Sequence, residues 1–476
     1  MSLAHKIFTN TLWQVIIRAL NILIGVFNLA LITRILGQTG FGYYTTIFAF
    51  LQMLMVVADL GLYLALLREV SLAGDRAGET KATNNIFTIR LLASLVILFL
   101  SPLLINLFPY DNAVKTGVIF FSLAFFFQSL MATLTAVFSK KLAMPRAVLV
   151  DLFTKVLFFI SLAYLFSRGS SLNFILAIHS IIYAVSFMLF YIILRKYIYL
   201  SLAWDFNYWR EIIRQSWPLA VTVVLNLVYF KADTLILSAF RDPNEVALYG
   251  APYRVLEVLV SFPHMFMSLL LPLLTAAWVA KNIVHFRQIF QKGFDFFCVL
   301  AVPMVVGLWL TGERVMILLA GPSFAASGPI LNILILATAA IFFGTLFTYL
   351  VVALGEQKQM IKYFLTVALV GLIGYFILIP RYSYWGAAYV TLLVEVMMCY
   401  FAYILVNQKV RLNINFAILK KSLLAGFIMA LIGWFCRGLN MALLILVSGA
   451  VYLLMLYTSR AIDRSILNNI FNKTKV

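Results

Sequence analysis

Apolar runs of about 20 residues recur from one end of this chain to the other, each long enough to cross a ~30 Å hydrocarbon core as a helix. No hydrophilic stretch between them is long enough to fold as a separate domain. In lipid each backbone N–H and C=O must be satisfied within the protein, which leaves helices as the spanning elements for runs of this length. Composition agrees: of 476 residues, 64% are hydrophobic and only 11% charged, against about 25% charged in a typical soluble domain. A water-soluble enzyme is excluded. The expected fold class is an all-α polytopic membrane protein with about fourteen spans, running from 13–33 at the start to 441–459 at the end.

The formal net charge of +19 raises nucleic-acid binding as an explanation, but the distribution of the basic residues argues against it. Alternate connections hold clusters such as Lys140, Lys141 and Arg146, or Arg195, Lys196, Arg210 and Arg214. The opposite connections hold one each: Arg34, Lys115, Arg168, Arg241, Arg314, Arg381 and Arg437. Lys and Arg accumulate on the cytoplasmic side of membrane proteins, so both termini are placed inside, and Arg68, Arg76, Lys81 and Arg90 are assigned to one inner segment. The expected location is the cytoplasmic (inner) membrane, multi-pass, with no nucleic-acid partner. The N-terminus lacks a small-residue cleavage pattern and reads as an uncleaved first helix. Cys298, Cys399 and Cys436 lie in apolar segments without CxxC or His partners and read as small hydrophobes, so no metal or other cofactor is expected.

A repeat organises the chain. The turn after the first span reads ILG then TGFGYYTTIFAFLQML, and about two hundred residues later ILS precedes AFRDPNEVALYGAPYRVLEVL. Two parallel six-helix copies are expected, residues 1–200 forming an N-lobe and 201–408 a C-lobe. Residues 409–476 add two helices and a cytoplasmic tail. Such parallel repeats are a transporter architecture, with the substrate site at the repeat interface near the midplane.

Polar stripes select the candidate site. At 100° per residue, Gln14, Arg18, Asn21, Gly25 and Asn28 share one face of the first span, and Thr222, Asn226, Tyr229 and Asp233 share one face of the seventh. A shift of 201 residues lays Asn21, Gly25 and Asn28 on Thr222, Asn226 and Tyr229. In the eighth span Arg254 and Glu257, at i and i+3, fall on a polar face with His264. Lipid cannot solvate these groups, so they face protein or water. Asp151 and Lys155, at i and i+4, read as a structural ion pair. Arg18 has no acidic residue in its own span to neutralise it. It either snorkels to lipid phosphates or binds an anion in an inward-facing cavity, where its planar fork suits phosphate. Asp59 and Glu395 read as lone intramembrane carboxylates able to bind Na⁺ or H⁺.

Taken in order, RILGQTGFGYYTTIF, ADTLILSAFRDPNEVALYGAPYRVLE, LLAGPSFAASGPILNILIL, VALGEQKQM and IPRYSYWGAAYVTLLVE resemble the polysaccharide transporters, or Wzx-type flippases, of the MOP superfamily. That superfamily also includes MATE exporters and MurJ-type lipid II flippases. In the last motif the family usually has Gly where this chain has Ser383 or Tyr384. The resemblance implies two six-helix lobes around a cavity that alternates between membrane faces. It also implies a polyprenyl-pyrophosphate glycan as substrate, moved to the outer leaflet for cell-surface polysaccharide synthesis. Cavity arginines of related flippases place Arg18 and Arg254 at the pyrophosphate, with Asn21, Asn28, Asn226 and Tyr229 as further substrate contacts. No P-loop is present, so H⁺ or Na⁺ coupling through Asp59, Asp233, Glu257 or Glu395 is the expected energy source. Membrane lipids and other polysaccharide assembly proteins are the expected partners. A MATE-like ion-coupled exporter of small molecules is the nearest alternative. A membrane glycosyltransferase is disfavoured, because no large external loop or outer cluster of catalytic carboxylates is present.

Overall fold

The computed structural model describes residues 3–59 and 61–461, with the side chains of residues 3–12, 15, 56–58 and 217–230 left aside. Every described regular element is helical. The α-helices are α1 (Leu3–Asp59), α2 (Leu62–Leu72), α3 (Arg76–Leu104), α4 (Asn112–Lys140), α5 (Met144–Phe166), α6 (Leu172–Leu194) and α7 (Phe206–Phe240). They continue with α8 (Pro243–Val279), α9 (Ile283–Ala320), α10 (Ser327–Ala353), α11 (Gln357–Val410), α12 (Ala417–Phe435) and α13 (Met441–Thr458).

Two of these contain a reversal made without a loop. In α1 the break is Gly37 (φ 62°, ψ −170°), a conformation open to glycine. In α11 it is Ser383 (φ 53°, ψ −136°), where an L side chain is strained. Among the described residues eleven helices, α1 and α11 counted undivided, are long and apolar enough to cross a membrane; with α1 and α11 divided at these residues and α7 added, the segments correspond to the fourteen spans expected. Helix starts follow their capping residues. Asp75 accepts from the Gly78 N–H at 2.9 Å, and Asn440 does the same for Leu443 at 2.9 Å, satisfying N–H groups that a first turn leaves open. A belt of exposed apolar residues, including Phe99, Leu103, Ile181 and Met188, is what a lipid-facing surface requires.

The chain forms two compact units. The first is Met1–Gly250 with Leu319–Ser323 and Leu372–Ala387; the second is Ala251–Leu318, Phe324–Gly371 and Ala388–Val476. A Cβ on Gly42 would lie 1.8 Å from the carbonyl oxygen of Pro243, so the end of the first reversal packs backbone to backbone on the start of α8. Thr39 donates to Asn244 Oδ1 at 2.8 Å beside it. Gly42 and Pro243 are 201 residues apart, the spacing that relates the two polar stripes.

Within the first unit, the polar face of α3 anchors the segment joining α6 to α7. Asn84 exchanges two hydrogen bonds with Ser201 (2.7 and 3.2 Å), and Thr88 Oγ1 accepts from the Ala203 N–H at 3.0 Å. Asn85 Oδ1 accepts from the Asp205 N–H and from the Trp209 indole, while Lys81 pairs with Asp205 at 3.0 Å. The Tyr208 N–H and the Lys81 ammonium hold the Asp205 carboxyl below the usual carboxylate range. In the second unit Tyr452 of α13 donates to Val299 O of α9 at 3.0 Å. Gly426 of α12 lies close enough to α9 that a Cβ there would come within 2.4 Å of Val302.

Candidate functional site

The stripe on the first arm of α1 divides lengthwise. One edge is buried: Asn21 and Asn28 are 4% and 6% exposed, and their amides donate to Val148 O (3.4 Å) and Lys155 O (3.1 Å) of α5. Both bonds join residues 127 apart, so α1 and α5 run parallel in constant register. The Oδ1 atoms of both asparagines accept no hydrogen bond among the described residues. The other edge is open. Arg18 is exposed, and a Cβ on Gly25 would meet nothing within 4 Å.

The direction of that opening matters. The exposed apolar residues of this arm, Trp13, Ile16, Leu20, Leu23 and Phe27, form its lipid-compatible face. Arg18 and Gly25 lie about 120–180° away around the helix at 100° per residue. A snorkelling arginine would emerge from the apolar face. Arg18 instead projects from the far side, and among the described residues its side chain makes no ion pair or hydrogen bond.

The remaining candidates occupy separate environments. Arg254 and Glu257 of α8 bind each other at 2.8 Å, each partly accessible, so the i, i+3 spacing does make a pair. Asp233 is 1% exposed and accepts from the Tyr249 hydroxyl at 2.6 Å and from the Thr234 N–H and hydroxyl. The neighbouring Lys231 is also buried and its charge acts on Asp233. Glu395 is 5% exposed on the second arm of α11, one turn from buried Thr391. The side chains of Asn226 and Tyr229 lie outside the described residues. Arg18 belongs to the first unit, Arg254 to the second.

One expectation needs correction. Asp59 is not a lone carboxylate: Arg90 Nη1 lies 3.0 Å from its Oδ1, with the arginine side chain 4% exposed. Arg90 is not part of an inner loop either, because α3 begins at Arg76 and carries it into the helical core. There Nε also donates to Ser129 O of α4 at 3.3 Å. An arginine held this way needs a counter-charge, and Asp59 supplies it from α1. The pair joins residues on different helices, beyond the reach of i, i+4 reasoning. Asp151 and Lys155 do form the expected pair, at 3.3 Å, but with side chains 51% and 37% exposed. Among the described residues no group of three or more His, Cys, Asp or Glu is placed to hold a metal ion.

A family model described as polysaccharide biosynthesis protein matches residues 7–278, and a MatE model matches residues 218–378. In structure the chain is similar to lipid II flippase MurJ in an inward closed conformation. The TM-score is 0.78 at 14% identity, covering 96% of this chain and 99% of that one. It is also similar to a multidrug resistance MATE family transporter of the MOP superfamily in its inward-facing conformation (TM-score 0.66, 12% identity, 82% and 94% covered). A third similar structure is a MOP superfamily transporter from Pyrococcus furiosus (0.63, 12%, 85% and 95%). At these identities the likeness is one of fold. No curated protein matches the chain in sequence.

Proposed function

The chain belongs to the polysaccharide biosynthesis protein family of membrane transporters, and from that premise we propose that it flips a polyprenyl-pyrophosphate-linked oligosaccharide from the inner to the outer leaflet by alternating access. The observation that supports this reading best is Arg18, an exposed arginine on the side of α1 opposite its apolar face. A pyrophosphate and its sugars cannot cross hydrocarbon unaided, since each unsatisfied polar group costs several kcal/mol there. A hydrated cavity removes that cost, and a guanidinium in it gives the pyrophosphate a bidentate partner. The polyprenyl tail stays in lipid throughout.

Arg254 is the second proposed pyrophosphate contact, and substrate phosphate would compete with Glu257 for it. Asn21 and Asn28 position α1 on α5 and offer their free carbonyl oxygens; Asn226 and Tyr229 remain proposed contacts by the repeat. For coupling to H⁺ or Na⁺, Asp59 and Glu257 already face arginine counter-charges. Asp233 stands beside buried Lys231, and all four carboxylates remain proposed candidates. The match of residues 218–378 to the MatE model supports a small-molecule exporter as the second reading, which an efflux assay with cationic drugs separates from flipping.

Arg18→Ala tests the proposal. The variant is expected to insert and fold normally while losing translocation of lipid-linked oligosaccharide, which then accumulates in the inner leaflet. Translocation at the wild-type rate would remove Arg18 from the mechanism.

A further inference from the structure

A second opening lies in the first unit among α4, α5 and α6. It is a cavity of about 170 Å³ whose polar lining includes Gln128, Asp151, Thr154 and Tyr183, with Met131 and Phe190 among its apolar residues. Water takes about 30 Å³ per molecule in the liquid, so this space suits a ring-sized polar group. Its polar groups are unevenly committed. Thr154 is already engaged: its hydroxyl donates to Val150 O at 2.8 Å and shares a hydrogen bond with the Ser186 hydroxyl at 2.7 Å. The Gln128 amide and the Tyr183 hydroxyl make no hydrogen bond among the described residues. Among the described residues Asp151 pairs with Lys155 at 3.3 Å.

Asp151 repeats the logic of Arg18. Four exposed apolar residues of α5, Leu149, Phe153, Ile160 and Tyr164, share one face, and Asp151 lies about 140–180° from them around the helix; exposed Phe166, the last residue of α5, falls about 60° from Asp151 but about four turns further along. Its exposure is therefore to the protein's own opening and not to lipid. The constant register of α1 on α5 fixes the relative depth. Asp151 stands opposite residue 24, six residues beyond Arg18, which is about 9 Å further along the helix axis.

We propose that this cavity is a sugar subsite, in which Gln128, Asp151 and Tyr183 bind the hydroxyl groups of a glycan ring attached to the pyrophosphate held at Arg18. The subsite rests on the flippase reading and adds to it the place where the glycan is sensed. An amide, a carboxylate and a phenol offer donors and acceptors together, which vicinal hydroxyls need. The Tyr183 and Phe190 rings and Met131 give an apolar wall for the C–H face of the ring. A cation site is disfavoured, because Lys155 already offsets the single carboxylate and no second acid lines the cavity. The ~9 Å offset lets the phosphates stay near the inner face while the sugar reaches deeper.

The test uses the full-length protein in detergent with two probes, undecaprenyl pyrophosphate and undecaprenyl pyrophosphate bearing one hexose, their binding read by tryptophan fluorescence. Wild-type protein is expected to bind the sugar-bearing lipid more tightly. Tyr183→Phe and Gln128→Ala together should cut that preference about tenfold, the equivalent of one or two net hydrogen bonds, with sugar-free binding unchanged. Asp151→Asn, which keeps the shape of the cavity, should act in the same direction. No preference in the wild type, or an unchanged preference in the double variant, overturns the subsite. So does a Na⁺- or pH-dependent loss in Asp151→Asn that is equal for both probes, which would make Asp151 a cation ligand. Arg18→Ala separates the two proposals: it should weaken both probes equally, and unaltered binding of both would overturn the flippase reading itself.

Discussion

The Ser383 hydroxyl donates to the Glu245 carboxylate across 138 residues of sequence, at the point where α11 reverses. Arg241 completes the arrangement. It approaches Glu245 at 3.7 Å and donates to Pro380 O at 2.7 Å, a carbonyl at the end of the first arm of α11. Ser383 thus holds a left-handed backbone (φ 53°) while its side chain ties the reversal to the start of α8.

Two opposed effects act at this one residue, and two substitutions separate them. Ser383→Gly relieves a backbone cost of about 1–2 kcal/mol and loses a hydrogen bond to a charged group worth roughly 1.5–3 kcal/mol. Ser383→Ala loses the same bond and keeps the strain. Thermal unfolding of the purified protein should therefore rank wild type above Gly and Gly above Ala. An Ala variant at least as stable as the Gly variant would show that the backbone at 383 stores no strain.

The Asp59–Arg90 pair makes a different prediction. Removing one partner of a buried pair leaves an uncompensated charge and costs about 3–5 kcal/mol. Arg90, at 4% side-chain exposure, should stand near the top of that range when Asp59 is changed to Ala. The Asp59→Ala, Arg90→Met double variant removes both charges and should recover much of the loss. The check is a double-mutant cycle on thermal stability in detergent. Additive losses would mean that the two charges are independently solvated.

These two features show where sequence reasoning succeeds and where it stops. Spans are legible because lipid imposes one length and one hydropathy on them; α13 (Met441–Thr458) falls on the 441–459 run. The departure at Ser383 or Tyr384, where the family usually has a glycine, falls at the break in α11. The partner of Asp59 was not legible, because 31 residues and a helix change separate it from Arg90, and Arg90 was read as an inner-loop cation. A signal was available: Thr83, Arg90, Ser94 and Ser101 fall on one face of α3, and all are buried. The stripe on α1 follows from helical spacing alone. Its division into an edge that grips α5 and an edge that opens depends on where α5 lies, and no pattern within α1 encodes that.

The docked segment before α7 should respond to acid. Asp205 is held below the ordinary carboxylate value of 3.8, first by the Tyr208 N–H and then by Lys81. A carboxyl with a depressed folded-state pKa contributes stability above its unfolded pKa and loses it as pH falls through the lower folded value. Docking of residues 195–205 on α3 should hold at neutral pH and loosen only below about pH 4. Thermal stability followed from pH 7 to pH 3 checks this. Asp205→Asn should flatten that part of the profile, and a profile identical to wild type would assign the acid response to other groups.

Gly42 should govern closure on the face that the basic-residue distribution places outside. An alanine Cβ there would stand 1.8 Å from the Pro243 carbonyl oxygen, whereas non-bonded atoms settle near 3.5 Å. The contact is with backbone and no side chain can swing clear, so the end of the first reversal and the start of α8 must part by about 1.7 Å. That movement also stretches the Thr39–Asn244 bond of 2.8 Å. Gly37→Ala makes the control, because its Cβ meets nothing within 4 Å and the strain it adds is conformational. In a background with Cys298, Cys399 and Cys436 replaced by Ser, Asn244→Cys reports the separation through its labelling by a membrane-impermeant maleimide applied from outside. Gly42→Ala is expected to speed that labelling several-fold and to slow transport, because a face that cannot close cannot reset the cycle. Gly37→Ala should lower stability without the same gain in labelling. Equal labelling in the Gly42→Ala protein and its parent would mean that the contact relaxes locally and that closure of this face does not depend on it.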